Sequence, residues 1–162
     1  MASEQLLAQL RFEEGLRLEA YQDSRDIKSI GYGHNLVTQP FFAGVRIPDR
    51  ISTDLAEQVL LNDVLVTAYT LLQSWPLLAN LDLPRRDACI QMAFQLGVHG
   101  FLGFSQLRIA LGQQDWDKAY AEVLDSQAAR ECTNRWHRIA GQILHGVYYQ
   151  VPALAKADIE HS

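Results

Sequence analysis

The residues from Arg11 to Leu36, RFEEGLRLEAYQDSRDIKSIGYGHNL, gather acids, a hydroxyl and a histidine at spacings suited to acid–base chemistry. Glu14 closes a segment that reads as a helix from Ser3, with Ser3 as its cap, Glu4 in its first turn and Leu6, Leu7 and Leu10 along one face. Gly15 then supplies the left-handed residue that ends many helices. A carboxylate in a last helical turn meets the negative end of the helix dipole, so its ionised form is disfavoured and its proton is held to higher pH. That is the property a general acid needs. Asp23 follows nine residues later among Gln22, Ser24, Arg25 and Asp26, a wet, turning segment in which it is expected to stay ionised. Two carboxyls whose environments separate their pKa values can cleave a glycosidic bond, one protonating the leaving oxygen while the other activates a water or attacks directly. Ser29 offers a hydroxyl to hold such a water. Gly31 and Gly33 let backbone approach a bulky ligand, and His34 comes next.

Several elements must position these groups. Residues 16 to 38 alternate apolar and polar over short spans, which predicts a small antiparallel sheet, and residues 39 to 52, with Pro40, Gly44 and Pro48, read as a loop with room for a turn of helix. A long helix is predicted from Thr53, its candidate cap, to Ser74, since no proline intervenes before Pro76. At about 1.5 Å per residue it would span roughly 30 Å, enough to join two lobes. Beyond it, helices are predicted over Pro84–Leu96, Gly103–Leu111, Asp115–Asp125 and Thr133–Tyr149, with Gly97-Val98-His99-Gly100 and Gly112 as separators. The expected fold is therefore α+β and mostly helical, a small antiparallel sheet lobe joined by a long helix to a helical bundle. The whole chain, 1–162, is expected to form one domain, with a β-containing lobe over 15–60 and a helical lobe from 1–14 and 61–162.

Composition narrows the function. A formal net charge of −5 argues against nucleic acid as a partner and gives no general attraction to anionic membranes or walls. No run of 18 apolar residues appears, and MASEQLLAQLRFEEG lacks the features of a signal peptide, so synthesis in the cytoplasm without a stable membrane anchor is expected. Cys89 and Cys132 read as buried thiols in helical segments. The five histidines show no HExxH or Cys-x-x-Cys spacing, so neither metal nor cofactor is expected, and a monomer is the simplest state.

The order Glu14, Asp23, Ser29, then Ile30-Gly31-Tyr32-Gly33-His34, resembles the T-even phage type of lysozyme, the endolysins of glycoside hydrolase family 24. The resemblance covers most of the chain, because Arg85-Arg86, Phe94-Gln95-Leu96-Gly97, Gly103-Phe104, Trp116-Asp117 and Asn134-Arg135 recur in the family's order. It implies a lysozyme-like two-lobe fold and an inverting muramidase that cuts peptidoglycan between N-acetylmuramic acid and N-acetylglucosamine during bacterial cell lysis, acting at the wall after release. It implies Glu14 as the acid, with Asp23 and Ser29 on the water. It places Gly33, His34, Asn35, Phe94 and Gln95 at the substrate, and gives Glu13, Asp63 and Arg135 supporting roles, Asp63 as partner to His34 and Arg135 to Glu13. Three departures stand out. The chain is acidic where better-known members are basic, Ser29 stands where most relatives are expected to carry Thr, and Ala128-Ala129 occupy a segment where some carry Trp.

Taken singly, these residues have plainer readings. Glu13-Glu14 would be a solvated helix end, Asp23 and Ser29 hairpin residues, His34 a structural histidine, and Trp75, Trp116, Trp136 and Phe94 core aromatics. Two other functional classes compete: a catalytically weak peptidoglycan-binding or toxin domain, and a chitin- or chitosan-cleaving enzyme with the same carboxylate chemistry.

Overall fold

A computed structural model describes residues 2–152, so the expected 1–162 domain and its helical lobe extend at residues 1 and 153–162 outside the described residues. Eight α-helices and five short strands run in the order α1 (Glu4–Glu14), β1 (Arg17–Gln22), β2 (Lys28–Gly31), β3 (His34–Asn35), β4 (Phe41–Phe42), β5 (Val45–Arg46), α2 (Thr53–Ser74), α3 (Leu83–Leu96), α4 (Val98–Leu102), α5 (Ser105–Gly112), α6 (Trp116–Leu124), α7 (Gln127–Glu131) and α8 (Thr133–His145), with a 3-10 turn at Pro76–Asn80 before α3. The architecture is α+β and mostly helical. The chain divides into two compact units, one built on residues up to Leu6 together with Leu65–Gln150, the other on Leu7–Val64, and α2 contributes to both.

In the Leu7–Val64 unit, β1, β2 and β3 form an antiparallel sheet in that order, with Tyr21 opposite Ser29 and Ile30 opposite His34. A second antiparallel pair, β4–β5, occupies what sequence alone reads as a loop. Ala43 and Gly44 both have positive φ, 49° and 78°, the turn that matches the twist of a two-residue hairpin. Leu7, Leu10, Ile30, Val59, Leu60 and Val64 are buried here. Helix α1 starts as expected, with the Leu6 amide donating to Ser3 Oγ at 3.0 Å, and ends at Gly15, whose φ is 68°. The cap of α2 is Ser52 rather than Thr53: its Oγ accepts from the Leu55 amide at 3.1 Å, which makes Thr53 the first helical residue.

The helical unit is organised around α8, which packs against α3, α6 and α7. Trp136, Phe101, Leu107, Met92, Cys89 and Ile139 are fully buried there, and Phe104 stacks on Trp136 at 6.2 Å and 9° between planes. Helix α8 stops at His145, short of Tyr149, because Gly146 turns left-handed with φ 65°. Polar staples hold its end: Arg85 Nε and Nη2 donate to the Ile143 and Leu144 carbonyls at 2.6 and 3.0 Å while its guanidinium lies 3.8 Å from the centre of the Trp116 ring. Trp75 and Trp136 are core residues, whereas Trp116 is half-buried under that arginine. Two short helices were not expected, α4 over the Gly97–Gly100 separator and α7 between the predicted helices ending at Asp125 and starting at Thr133, and of the two free thiols Cys89 is buried but Cys132, between α7 and α8, is exposed. Although no uninterrupted apolar run reaches 18 residues, α2 is long and apolar enough to cross a membrane by length and composition, with 28% of its apolar window buried.

Candidate active site

The Leu7–Val64 unit brings together Glu14, Asp23, Ser29, Gly33, His34, Asn35, Glu13 and Asp63. Phe94, Gln95 and Arg135 belong to the helical unit.

Glu14 occupies the last position of α1 and one of its carboxyl oxygens, Oε1, is buried. The other meets the Gly-Tyr-Gly segment. Gly33 has φ 76°, and a Cβ placed on it would lie 3.3 Å from Glu14 Oε2. Glycine at this position therefore satisfies two demands, a left-handed backbone and close approach of a carboxylate. Between the two glycines, Tyr32 is buried and donates its hydroxyl to Glu57 Oε1 at 2.6 Å, and Arg11 grips the same carboxylate with Nη2 2.8 Å from Oε2. Burial and that hydrogen bond push the Tyr32 phenol well above its ordinary pKa, so it remains a donor. The network ties the helix that carries Glu14 to the base of α2.

Asp23 opens the turn between β1 and β2. Its Oδ1 accepts from the Arg25 and Ile27 amides at 2.8 and 2.9 Å, and Arg25 Nη2 lies 3.9 Å from Oδ2. Asp26, with φ 62°, provides the left-handed step that closes the turn, a conformation Asp tolerates better than most residues. The Ile27 amide is the main reason the Asp23 carboxyl sits below the usual carboxylate range; slight burial opposes it, and the Arg25 amide and charge reinforce it. Asp23 is thus held ionised by backbone donors.

Ser29 is buried, and its Oγ donates to the Ile27 carbonyl at 3.2 Å. One residue, Ile27, therefore fixes Asp23 through its amide and Ser29 through its carbonyl. The order of residue types singles out both side chains, but this backbone link has no signature in side-chain identity.

His34 is buried with acceptors at both ring nitrogens: Asp63 Oδ2 at 2.6 Å from Nδ1 and the Gln39 carbonyl at 2.7 Å from Nε2. Both contacts are donated only by the doubly protonated ring. Burial alone would lower its pKa, but the hydrogen bond and charge of Asp63, aided by the Gln39 carbonyl, raise it above the ordinary histidine value. A ring that donates at both nitrogens orients its surroundings and is a poor proton acceptor. Asn35 is committed to the next turn, its Oδ1 accepting from the Val37 and Thr38 amides at 2.8 and 3.0 Å. Glu13 is half-buried in the last turn of α1.

In the helical unit, Phe94 and Gln95 are half-buried near the end of α3, where Gln95 Nε2 points to Cys132 Sγ at 3.7 Å, and Arg135 is buried in α8. Among the described residues no group of three or more His, Cys, Asp or Glu side chains is placed to hold a metal ion.

Glycoside hydrolysis uses a pair of carboxyl groups, one protonated and one ionised, and Glu14 at the end of α1 with Asp23 on the following hairpin are the candidates for that pair. The family model for phage lysozyme matches residues 11–150. The chain belongs to the phage lysozyme family. Membership places it among glycoside hydrolases that act on peptidoglycan. Among its relatives, the pre-baseplate central spike protein Gp5 of Enterobacteria phage T4 is 30% identical over 85% of this chain, which spans 27% of that protein's length. A probable T4-type lysozyme 1 of Dictyostelium discoideum is 27% identical over 85% of this chain and 92% of its own length. The phage lysozyme match includes every candidate residue from Glu13 to Arg135.

Proposed function

We propose that this chain is a muramidase that hydrolyses the β-1,4 bond between N-acetylmuramic acid and N-acetylglucosamine, with inversion, in bacterial cell lysis. Glu14 protonates the glycosidic oxygen. A water held by Ser29 gives its proton to Asp23 as it attacks the anomeric carbon from the opposite face. Phe94 offers a ring to stack on a sugar face and Gln95 an amide for an N-acetyl group, while Glu13, Asp63 and Arg135 support the residues beside them. The enzyme acts as a monomer, without cofactor or nucleic-acid partner, on the wall after release from the cytoplasm.

The observation that carries this reading is the contrast between the two acids. Asp23 is fixed as an anion by two backbone amides, whereas Glu14 lies partly buried against a glycine with no Cβ to shield it. Similarity to a phage spike protein supports a second setting for the same chemistry, in which the chain cuts the wall as one module of a larger assembly.

The test is digestion of purified peptidoglycan with identification of the new ends. A muramidase leaves N-acetylmuramic acid at the reducing end, and inversion makes the first-formed product the α-anomer by NMR. A protein that sediments with the wall without clearing it would be the binding domain instead, and cleavage of chitin oligosaccharides in preference to peptidoglycan would redirect the substrate.

A further inference from the structure

One hydroxyl on the hairpin has no role in the hydrolysis proposed for Glu14, Asp23 and Ser29. Tyr21 stands directly opposite Ser29 in the β1–β2 pairing, so the two side chains leave the same face of the sheet. The pairing slips between Arg17 and Tyr21, an irregularity of the kind that re-aims a side chain, and Asp23 begins its turn two residues later. Arg17 comes back over the ring, its guanidinium carbon 4.9 Å from the centroid, a cation–π contact that restrains the plane of the phenol. Tyr21 is only half-buried, so the ring is not consumed by the core.

Its electrostatic surroundings point the same way. Burial raises the Tyr21 pKa, Arg17 opposes that, and the charges of Glu14 and Asp23 each push it further up. Both acids are therefore near enough to act on this phenol, which stays a neutral O–H donor wherever the carboxylates are at work.

We propose that Tyr21 is a further substrate-contacting residue of this hydrolysis, its hydroxyl donating to the sugar that spans Glu14 and Asp23 while Arg17 holds the ring in place. The proposal rests on the reading of those two acids given above. Hydrogen bonds to sugar substituents that tighten as the ring gains oxocarbenium character lower the barrier to glycoside cleavage. A neutral donor does this without competing for the proton that Glu14 must deliver.

The experiment compares the full chain with Tyr21→Phe, Arg17→Gln and Glu14→Gln, measuring kcat and KM on purified peptidoglycan and the unfolding midpoint of each. Tyr21→Phe keeps the ring and removes only the hydroxyl. The expected result is a fall in kcat/KM of about tenfold, the worth of one such hydrogen bond, carried mainly by kcat and with the midpoint unchanged. Arg17→Gln should give a smaller loss in the same direction. Turnover by Tyr21→Phe within twofold of the parent, beside an inactive Glu14→Gln, would overturn the role of Tyr21 alone. So would a lowered midpoint with normal kcat, the mark of a purely structural contact. An active Glu14→Gln would instead remove the reading of the acids, and Tyr21's role with it.

Discussion

The two units of the chain are held together by different physics. In the Leu7–Val64 unit the elements are short, and side chains bonded to backbone set the geometry: Asp23 and Asn35 organise turns, Ser29 ties back to Ile27, and His34 bridges Asp63 and the Gln39 carbonyl. In the helical unit apolar burial dominates, with Trp136, Phe101 and Leu107 excluded from solvent and a few polar staples such as Gln142 Nε2 to the Pro84 carbonyl at 2.7 Å. Burial is non-directional and yields stability, whereas hydrogen bonds fix direction at modest net energy. Directed groups are what acid–base chemistry needs, and Glu14 and Asp23, the carboxylates proposed to do it, sit in the unit built that way.

That contrast makes the two units respond differently to damage. Trp136→Ala should cost the most stability, about 3–5 kcal/mol, because it empties a fully buried site stacked on Phe104. Denaturant unfolding would show this, while kcat on peptidoglycan for the folded fraction, set by Glu14 and Asp23 in the other unit, should hardly move. A large kcat change would break the division between the units.

Asp63→Asn should come next, at about 3 kcal/mol, since it takes from the buried His34 ring the anion that favours its protonated form. The pH dependence has a definite sign. His34 has its pKa raised on folding, so the stabilisation it gives is full below the unfolded value of about 6.5 and fades as pH rises through the folded value. Urea midpoints should therefore separate parent and variant most widely near pH 6 and converge in alkali. A gap that widened with rising pH would show His34 to be neutral in the fold.

Gly33→Ala sharpens the comparison from the other side. Its left-handed backbone should cost only about 1–2 kcal/mol, yet the new methyl would stand 3.3 Å from Glu14 Oε2, so turnover should fall further than stability does. Equal losses in unfolding free energy and activation free energy would mean that the contact with Glu14 is incidental.

What could be read from the sequence is what leaves a local signal in it. The span of α1 and its stop at Gly15, the hairpin around Asp23 and the length of α2, though not its cap, were legible because caps, glycines and hydrophobic spacing are local signals. The five-residue helices α4 and α7 were not, since Gly97 and Gly100 make the first look like a linker and neither is long enough to show a period. The β4–β5 hairpin has two residues per strand, too few for alternation. Exposure of Cys132 depends on where α7 stops, which composition does not state. In the site, residue types and order pointed to Glu14, Asp23 and Ser29, but the backbone partners of Asp23 and the Gln39 carbonyl under His34 follow from tertiary structure. Tyr21 could have been noticed: it is the aromatic two residues before Asp23, and folding the hairpin on its turn puts it across from Ser29.

The most direct trial is the rate at which Glu14→Gln clears purified peptidoglycan, read beside its unfolding midpoint. Loss of a positioned proton donor should slow clearance by at least about a hundredfold in a protein that melts where the parent does. Clearance near the parental rate by the folded variant would show that the proton comes from elsewhere.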